Sequence, residues 1–340
     1  MLARVTADPS PAPPLTSFND AVAGFFVARK PRKDSPHTTA AYRRDLDTIS
    51  RLCAVHIGID LADLAIDQLT VAVLRVAFAE YSDDRAKTSI SRAWSTWNQF
   101  FAFCVSDGRI AGNPMAGVAR PRIPRRAPKP LRGEDTPERL LAAVAQRRDG
   151  RDPWPERDLA VLATLLLTGV RSAELLGLTL GSLVGPAGDR RLHVVGKGGK
   201  SRSVPVEKPL EVVLDAYLTN RRRRFPGTRL GPAVALFVDR RDEPLQRGGL
   251  QYLVRTNLRS AGLNDRRATG ALVHALRHTY ATRLAEDGAS ASEIMALLGH
   301  VSITTSQSYI DATAREQRAA AGANRTYRVV RDLITNSPAD

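Results

Sequence analysis

From Ala119 to Arg132 the chain reads ARPRIPRRAPKPLR, four prolines and six basic residues in one stretch. Proline fixes φ and carries no backbone N–H, so this segment is neither a helix interior nor a central strand. It reads instead as an extended linker. Two domains must therefore each bury a core of their own. With 340 residues, 43% of them hydrophobic, the chain has enough apolar surface for both. The linker is assigned to residues 108–135. Its cations, Arg120, Arg122, Arg125, Arg126, Lys129 and Arg132, fit a solvated spacer or a strand laid along phosphates, and the second reading is preferred.

Before the linker the pattern is helical. TSFNDAVAGFFVARK sets Phe18, Val22, Phe25 and Phe26 at three- and four-residue spacing. SPHTTAAYRRDLDTISRLCAVHIG, TVAVLRVAFAEYS and KTSISRAWSTWNQFFAFCVSDG complete a set of about four helices over residues 16–107. Thr70 and Asp83 or Asp84 are expected caps. The first 14 residues, with four prolines, read as a flexible tail. After the linker, TPERLLAAVAQRR and ERDLAVLATLLLTG are helical. RRLHVVGKGGKSRSVPV reads as a β-hairpin, and AVALFV as a further short strand. The stretch from Ala271 to Ile310 reads as a helix, a turn at Gly288, a short helix, a turn at Gly299 and a second short helix. This second domain is assigned to residues 136–320, with a tail at 321–340 holding an apolar helix candidate, YRVVRDLI.

Composition narrows the partners. Fifty basic residues against 35 acidic ones leave a formal charge of +15, which favours a polyanion, nucleic acid first. No apolar run reaches the roughly 18 residues of a membrane span, and no secretory signal is expected. Cys53 and Cys104, the only two cysteines, make neither a disulfide framework nor a Cys-rich zinc site, and a reduced cytoplasmic compartment fits best.

Several motifs carry chemistry. GKGGKS lacks the phosphate-loop spacing and lies at a hairpin tip between strands, so nucleotide binding is rejected. A lysine there, Lys197 or Lys200, has the reach to enter a nucleic-acid groove. Arg171 follows Gly169 at a break between helices. His274 and Arg277 share a helix face at i and i+3. His274 and His278 are four apart, but Ala275 stands where a zincin has glutamate, so no metal is assigned. His300 follows Gly299 at a helix end, and Tyr309 lies nine residues on. Taken singly, each of these residues also fits a packing or surface role.

In order, TGVRSAELLGL, VVGKGGKSRSVPV, HALRHTYATRL and LLGHVSITTSQSYI resemble the tyrosine recombinase (phage-integrase) family, its Xer-like branch or a mobile-element relative. The resemblance is sharp over residues 168–310 and general in the N-terminal bundle. It implies a mainly α fold with a small β-sheet: a two-domain, C-shaped clamp with a helical-bundle DNA-binding domain and a mixed α/β catalytic domain. It implies catalytic positions at Arg171, Lys197, His274, Arg277, His300 and Tyr309, with Tyr309 the nucleophile and Glu174 a structural acid. The implied activity is site-specific cutting and rejoining of DNA through a 3′-phosphotyrosine, with no cofactor. The implied assembly is a homotetramer on two DNA sites, with or without a paralogous recombinase and with the tail docked on a neighbour. Localisation follows as cytoplasmic and nucleoid-associated. A type IB topoisomerase and a non-catalytic architectural DNA-binding protein are the alternatives. Further DNA contacts are expected at Arg43, Arg44, Lys87, Arg92, Lys200 and Arg202, beside the linker cations Arg120, Arg122, Arg125, Arg126 and Lys129.

Overall fold

A computed structural model of the chain describes residues 16–123, 127–133, 135–147, 153–196, 199–263, 265, 267, 269–299, 302–322 and 326. These form two compact units, divided between Arg125 and Arg126.

The first unit holds α1 (Phe18–Arg29), α2 (Pro36–Ile57), α3 (Val71–Ser82) and α4 (Lys87–Ser106). Ser35 caps α2 by accepting from Thr38 N–H, with Pro36 in the first turn. Gly58 closes the helix with a positive φ of 81°. Thr70 caps α3 as expected, accepting from Val73 N–H. Asp83 ends α3, and α4 starts from Ala86 with no side-chain cap, so neither Asp83 nor Asp84 caps a helix start. The apolar residues of α4 recur with helical period, and Trp97, Phe100, Phe101 and Cys104 are fully buried against Phe18 and Phe25 of α1. Trp97 and Phe100 meet edge to face, the arrangement ring quadrupoles favour.

One carboxylate lies inside this apolar bundle. Asp45 of α2 is 1% exposed. Arg92 of α4 meets it with two hydrogen bonds, at 2.9 and 2.7 Å, and the Thr96 hydroxyl adds a third at 3.2 Å. A buried carboxylate without such partners would be costly. Arg92, expected as a DNA contact, is 41% exposed at its side chain and also fastens α4 to α2.

The linker is shorter than residues 108–135. Met115 and Val118 are buried in the first core, and the Trp94 indole donates to the Val118 carbonyl at 2.9 Å. Leu131 is buried in the second core, and its N–H donates to Thr279 Oγ1 at 2.9 Å.

The second unit contains α5 (Thr136–Gln146), α6 (Pro155–Thr168), α7 (Ser172–Leu176), α8 (Lys208–Arg224), α9 (Arg247–Ser260), α10 (Thr269–Glu286), α11 (Ala291–Leu298) and α12 (Ile303–Gly322). Helix α6 is its axis. Residues 160–166 are all buried, and the helix packs against α5, α8 and α10. A three-stranded antiparallel sheet, β1 (Leu183–Val184), β2 (Arg191–Val195) and β3 (Ser201–Pro205), lies beside the helices. Leu192 pairs with Val204, and both point into the core with Val194. The hairpin is therefore as expected, with β1 added.

AVALFV is not a strand. Its residues make only isolated bridges. Their backbone groups are shared between neighbouring backbone and α8: Leu236 N–H donates to the Leu178 carbonyl at 2.8 Å, Tyr217 Oη donates to the Leu236 carbonyl at 3.0 Å and Arg221 Nη1 to the Ala235 carbonyl at 2.7 Å. Arg221, first of the four consecutive arginines, is thus 1% exposed and ion-paired with Asp242 at 2.8 Å. The last helix also differs from expectation, running from Ile303 to Gly322 rather than stopping after one short segment. YRVVRDLI lies outside the described residues. No helix among the described residues is long and apolar enough to cross a membrane.

Candidate active site

Two glycines build the site. Gly169 ends α6 and Gly299 ends α11, at φ of 59° and 62°. This left-handed region is open to glycine at little cost. Each turn ends a helix abruptly and leaves carbonyls without helical partners. Arg277, from the middle of α10, joins the two turns. It donates Nη1 to the Gly169 carbonyl and Nη2 to the Leu298 carbonyl, the latter at 2.7 Å. Arg171, two residues beyond the first turn, donates Nη2 to the Gly299 carbonyl at 3.3 Å. Both guanidiniums therefore converge on adjacent carbonyls of the turn that leads to His300.

Burial separates the two arginines. Arg277 is 2% exposed, whereas the Arg171 side chain is 37% exposed. Burial, with Arg171 close by, pushes the Arg277 guanidinium down to about 10, so it stays charged at neutral pH. Glu174 holds Arg171 from below, accepting its backbone N–H and its guanidinium, both at 2.7 Å. Arg202 of β3 approaches the same carboxylate at 2.8 and 3.1 Å and donates Nε to the Leu297 carbonyl at 2.9 Å. Burial would raise the Glu174 carboxyl, but Arg202 and the two Arg171 donors outweigh it and hold it at about 2. Arg202 is therefore not the free DNA contact expected of it. It ties the hairpin to α7 and to the end of α11.

Tyr309, on α12, is 3% exposed and packs with Ala281, Ile294 and Leu298. Burial raises its phenol above the ordinary value, while Arg277 and Arg171 pull it down. Its hydroxyl shares a hydrogen bond of 2.7 Å with Nδ1 of His278. The His278 ring stands edge-on to His274 at 4.5 Å. His274 is exposed, yet partial desolvation lowers its imidazole, with Arg277 and then Arg171 adding to the effect.

The structure thus brings together Arg171, His274, Arg277 and Tyr309. Lys197 and His300 lie outside the described residues, as do Arg125 and Arg126 of the linker. His278, Arg202 and Tyr280 were missed as parts of the site. Of these, only His278 had a visible signal, its helical spacing from His274. Among the expected DNA contacts, Arg43, Arg44, Lys87, Arg122, Lys129 and Lys200 are exposed. Arg43 lies over the Phe26 ring and Arg120 over Trp94.

Two glycine turns bridged by Arg277 and flanked by Arg171 thus lie beside a buried tyrosine, and comparison with known proteins places the fold. Residues 133–316 match the phage integrase family, and residues 29–108 match the phage integrase N-terminal SAM-like domain. Tyrosine recombinase XerC from Mycobacterium sp. (strain KMS) is 33% identical over 308 residues, covering 90% of this chain and 97% of that protein. XerC from Ralstonia pickettii (strain 12J) is 30% identical over 313 residues, covering 88% and 89%. The fold resembles the crystal structure of the XerH site-specific recombinase bound to palindromic difH substrate, a post-cleavage complex. That match has a TM-score of 0.68 and 17% identity, and covers 92% of this chain and 91% of that one. It also resembles a lambda integrase tetramer bound to a Holliday junction, with a TM-score of 0.63, 19% identity and coverage of 88% and 79%. The chain belongs to the phage integrase family, in its Xer-like branch, and is a tyrosine-type site-specific recombinase.

Proposed function

We propose that this recombinase cleaves double-stranded DNA at specific sites with Tyr309 as nucleophile, and that Arg171, Lys197, His274, Arg277 and His300 complete its catalytic set. The observation that carries the reading is the convergence of Arg171 and Arg277 on the turn beside a buried tyrosine. Guanidiniums present fixed, permanently charged donors suited to the non-bridging oxygens of a phosphate. Such donors, aimed before the reaction starts, stabilise the charge that develops in the transition state. An arriving phosphate would replace the carbonyls of Leu298 and Gly299 as acceptor.

Tyr309 Oη attacks phosphorus, forming the 3′-phosphotyrosine and breaking the bond to the 5′-oxygen. Lys197, two residues beyond β2, gives the leaving oxygen its proton. The 5′-hydroxyl of a partner strand reverses the step. The ester conserves the bond, so no nucleotide is consumed. His274, neutral between two arginines, steadies the network, and His300 adds a donor to the phosphate. The exposed cations Arg43, Arg44, Lys87, Arg120, Arg122, Lys129 and Lys200 contact the duplex backbone. A homotetramer on two sites, with the tail of one protomer docked on the next, is the assembly this reading requires, and the nucleoid is where it works.

A denaturant-resistant protein–DNA adduct tests the proposal. The probe is a nicked duplex carrying the sequence recovered from wild-type adducts in a randomised library. Wild type is expected to form the adduct, and Tyr309→Phe to form none while retaining the DNA. An adduct in that variant would refute the nucleophile assignment.

A further inference from the structure

We propose that His278 is a catalytic residue of this site, the acceptor of the Tyr309 proton. The proposal rests on Tyr309 being the nucleophile. His278 Nδ1 is the imidazole nitrogen that meets the phenolic oxygen, at 2.7 Å and within the 2.6–3.2 Å reach a general base requires. His274 meets the ring of His278 rather than the phenol.

The surroundings suit proton transfer. His278 lies on α10 and Tyr309 on α12, two helices that pack together with α11. Among the described residues, the charged and titratable groups around the pair are His274 and Arg277 on α10, Arg171 at the head of α7, and, one step behind, Glu174 and Arg202. Arg277 and Arg171 favour a phenolate over a phenol. Burial opposes the phenolate and is the largest influence on the phenol. The tyrosine therefore does not shed its proton unaided, and an acceptor must lie within the dry contact it already makes. With its own proton on Nε2, the neutral His278 ring takes the phenol's proton on Nδ1 as the O–P bond forms. The bond to the 5′-oxygen breaks, and that oxygen leaves protonated by Lys197. When the partner strand's 5′-hydroxyl attacks, the proton returns from Nδ1 to the departing Tyr309 oxygen, so the cycle closes without a co-reactant.

The test is single-turnover adduct formation on the nicked library-derived duplex, followed against pH. Wild type is expected to lose rate as pH falls and the imidazole protonates. His278→Asn is expected to be slower by roughly 10²–10⁴-fold, to retain DNA, and to keep gaining rate with pH where wild type is level. Placing a fluorinated, more acidic tyrosine at position 309 should recover much of the loss in His278→Asn and gain little in wild type. A His278→Asn chain with the wild-type rate and pH profile would overturn the proposal, as would absence of rescue by the acidic tyrosine. If wild type forms no adduct, the nucleophile reading falls with it, whereas an active wild type with an indifferent His278→Asn removes only His278. Should that variant fail to fold, nitrogen NMR of the native full-length chain decides. An unprotonated Nδ1 that accepts a hydrogen bond is expected at neutral pH, and a proton resident there would overturn the assignment.

Discussion

Replacing Gly169 by alanine should damage this protein twice, and the structure separates the two effects. The first is conformational. Gly169 sits at φ 59°, where an L side chain costs about 1–2 kcal/mol. The second is steric. A Cβ there would lie 2.3 Å from Tyr280 Cδ1 and 2.6 Å from Leu298 Cδ2. Both atoms belong to packed side chains, and forcing a methyl group into such a place costs about 1–3 kcal/mol more. Gly169→Ala should therefore cost about 2–5 kcal/mol, a large part of the stability of a domain. Gly288, between α10 and α11, supplies the control. It has φ 88° with nothing within 4 Å of a Cβ. Gly288→Ala should pay only the conformational part, about 1–2 kcal/mol. Hydrogen exchange of the full-length chain in urea, resolved on peptides from residues 126–340, reads both. The site gives a second readout. Tyr280 and Leu298 must give way, and Arg277 holds the Gly169 and Leu298 carbonyls, so the clamp moves with them. A displacement near 1 Å can cost about 10²-fold in rate, and adduct formation should fall by about that much in Gly169→Ala but not in Gly288→Ala. Equal destabilisation by the two substitutions would show that Tyr280 and Leu298 do not confine Gly169, and the account of this turn would be wrong.

The remaining predictions are shorter. Glu174→Gln leaves Arg171 and Arg202 facing a neutral amide in a buried place, and should cost about 3–5 kcal/mol at neutral pH. Because the carboxyl is held at about 2 against an ordinary 4.5, its stabilisation is complete above pH 4.5 and fades as pH falls toward 2. The stability gap between wild type and Glu174→Gln should therefore close over that interval, and a gap independent of pH would refute the pairing. Asp45→Ala should loosen α2 from α4 by about 3 kcal/mol, since two charge-assisted bonds from Arg92 are lost. Hydrogen exchange should rise in residues 16–118 and stay unchanged in the second unit.

Much of the site was legible because its chemistry is attached to punctuation. Arg171 and His300 each follow, within two residues, a glycine that ends a helix, and glycine after an apolar helical run marks such an end. His274 and Arg277 share a face through spacing alone. What stayed hidden depends on which elements lie opposite one another after folding. Arg92, Arg202 and Arg221 look like surface cations in the sequence. Their partners, Asp45, Glu174 and Asp242, lie 47, 28 and 21 residues away. No local pattern distinguishes an arginine that will find a carboxylate from one that will stay in solvent. His278 was weighed only against a metal motif. Its contact with Tyr309 spans 31 residues and exists because α12 packs on α10. AVALFV failed for a related reason. Its composition suits a strand, but its hydrogen bonds are split between isolated backbone contacts and the side chains of Tyr217 and Arg221, so no continuous ladder forms.

The hidden pairings and the legible motifs meet in one electrostatic arrangement. Among the described residues, Glu174 is the carboxylate shared by Arg171 and Arg202, and Arg277 lies close enough to feel all three. Among the described residues Arg277 donates only to carbonyls, and the descent of its guanidinium to about 10 reflects burial first and the push of Arg171 next. A carbonyl satisfies the donors of a guanidinium but does not neutralise its charge. The fold therefore keeps the Arg277 charge buried, at a desolvation cost that Glu174 offsets only in part. On the proposed function, an anion entering between Arg171 and Arg277 would relieve that cost, and would relieve more of it as charge builds on the phosphate during attack. On this view Glu174 and Arg202 set the balance: enough negative charge to hold Arg171 in place, too little to satisfy both arginines that face the phosphate.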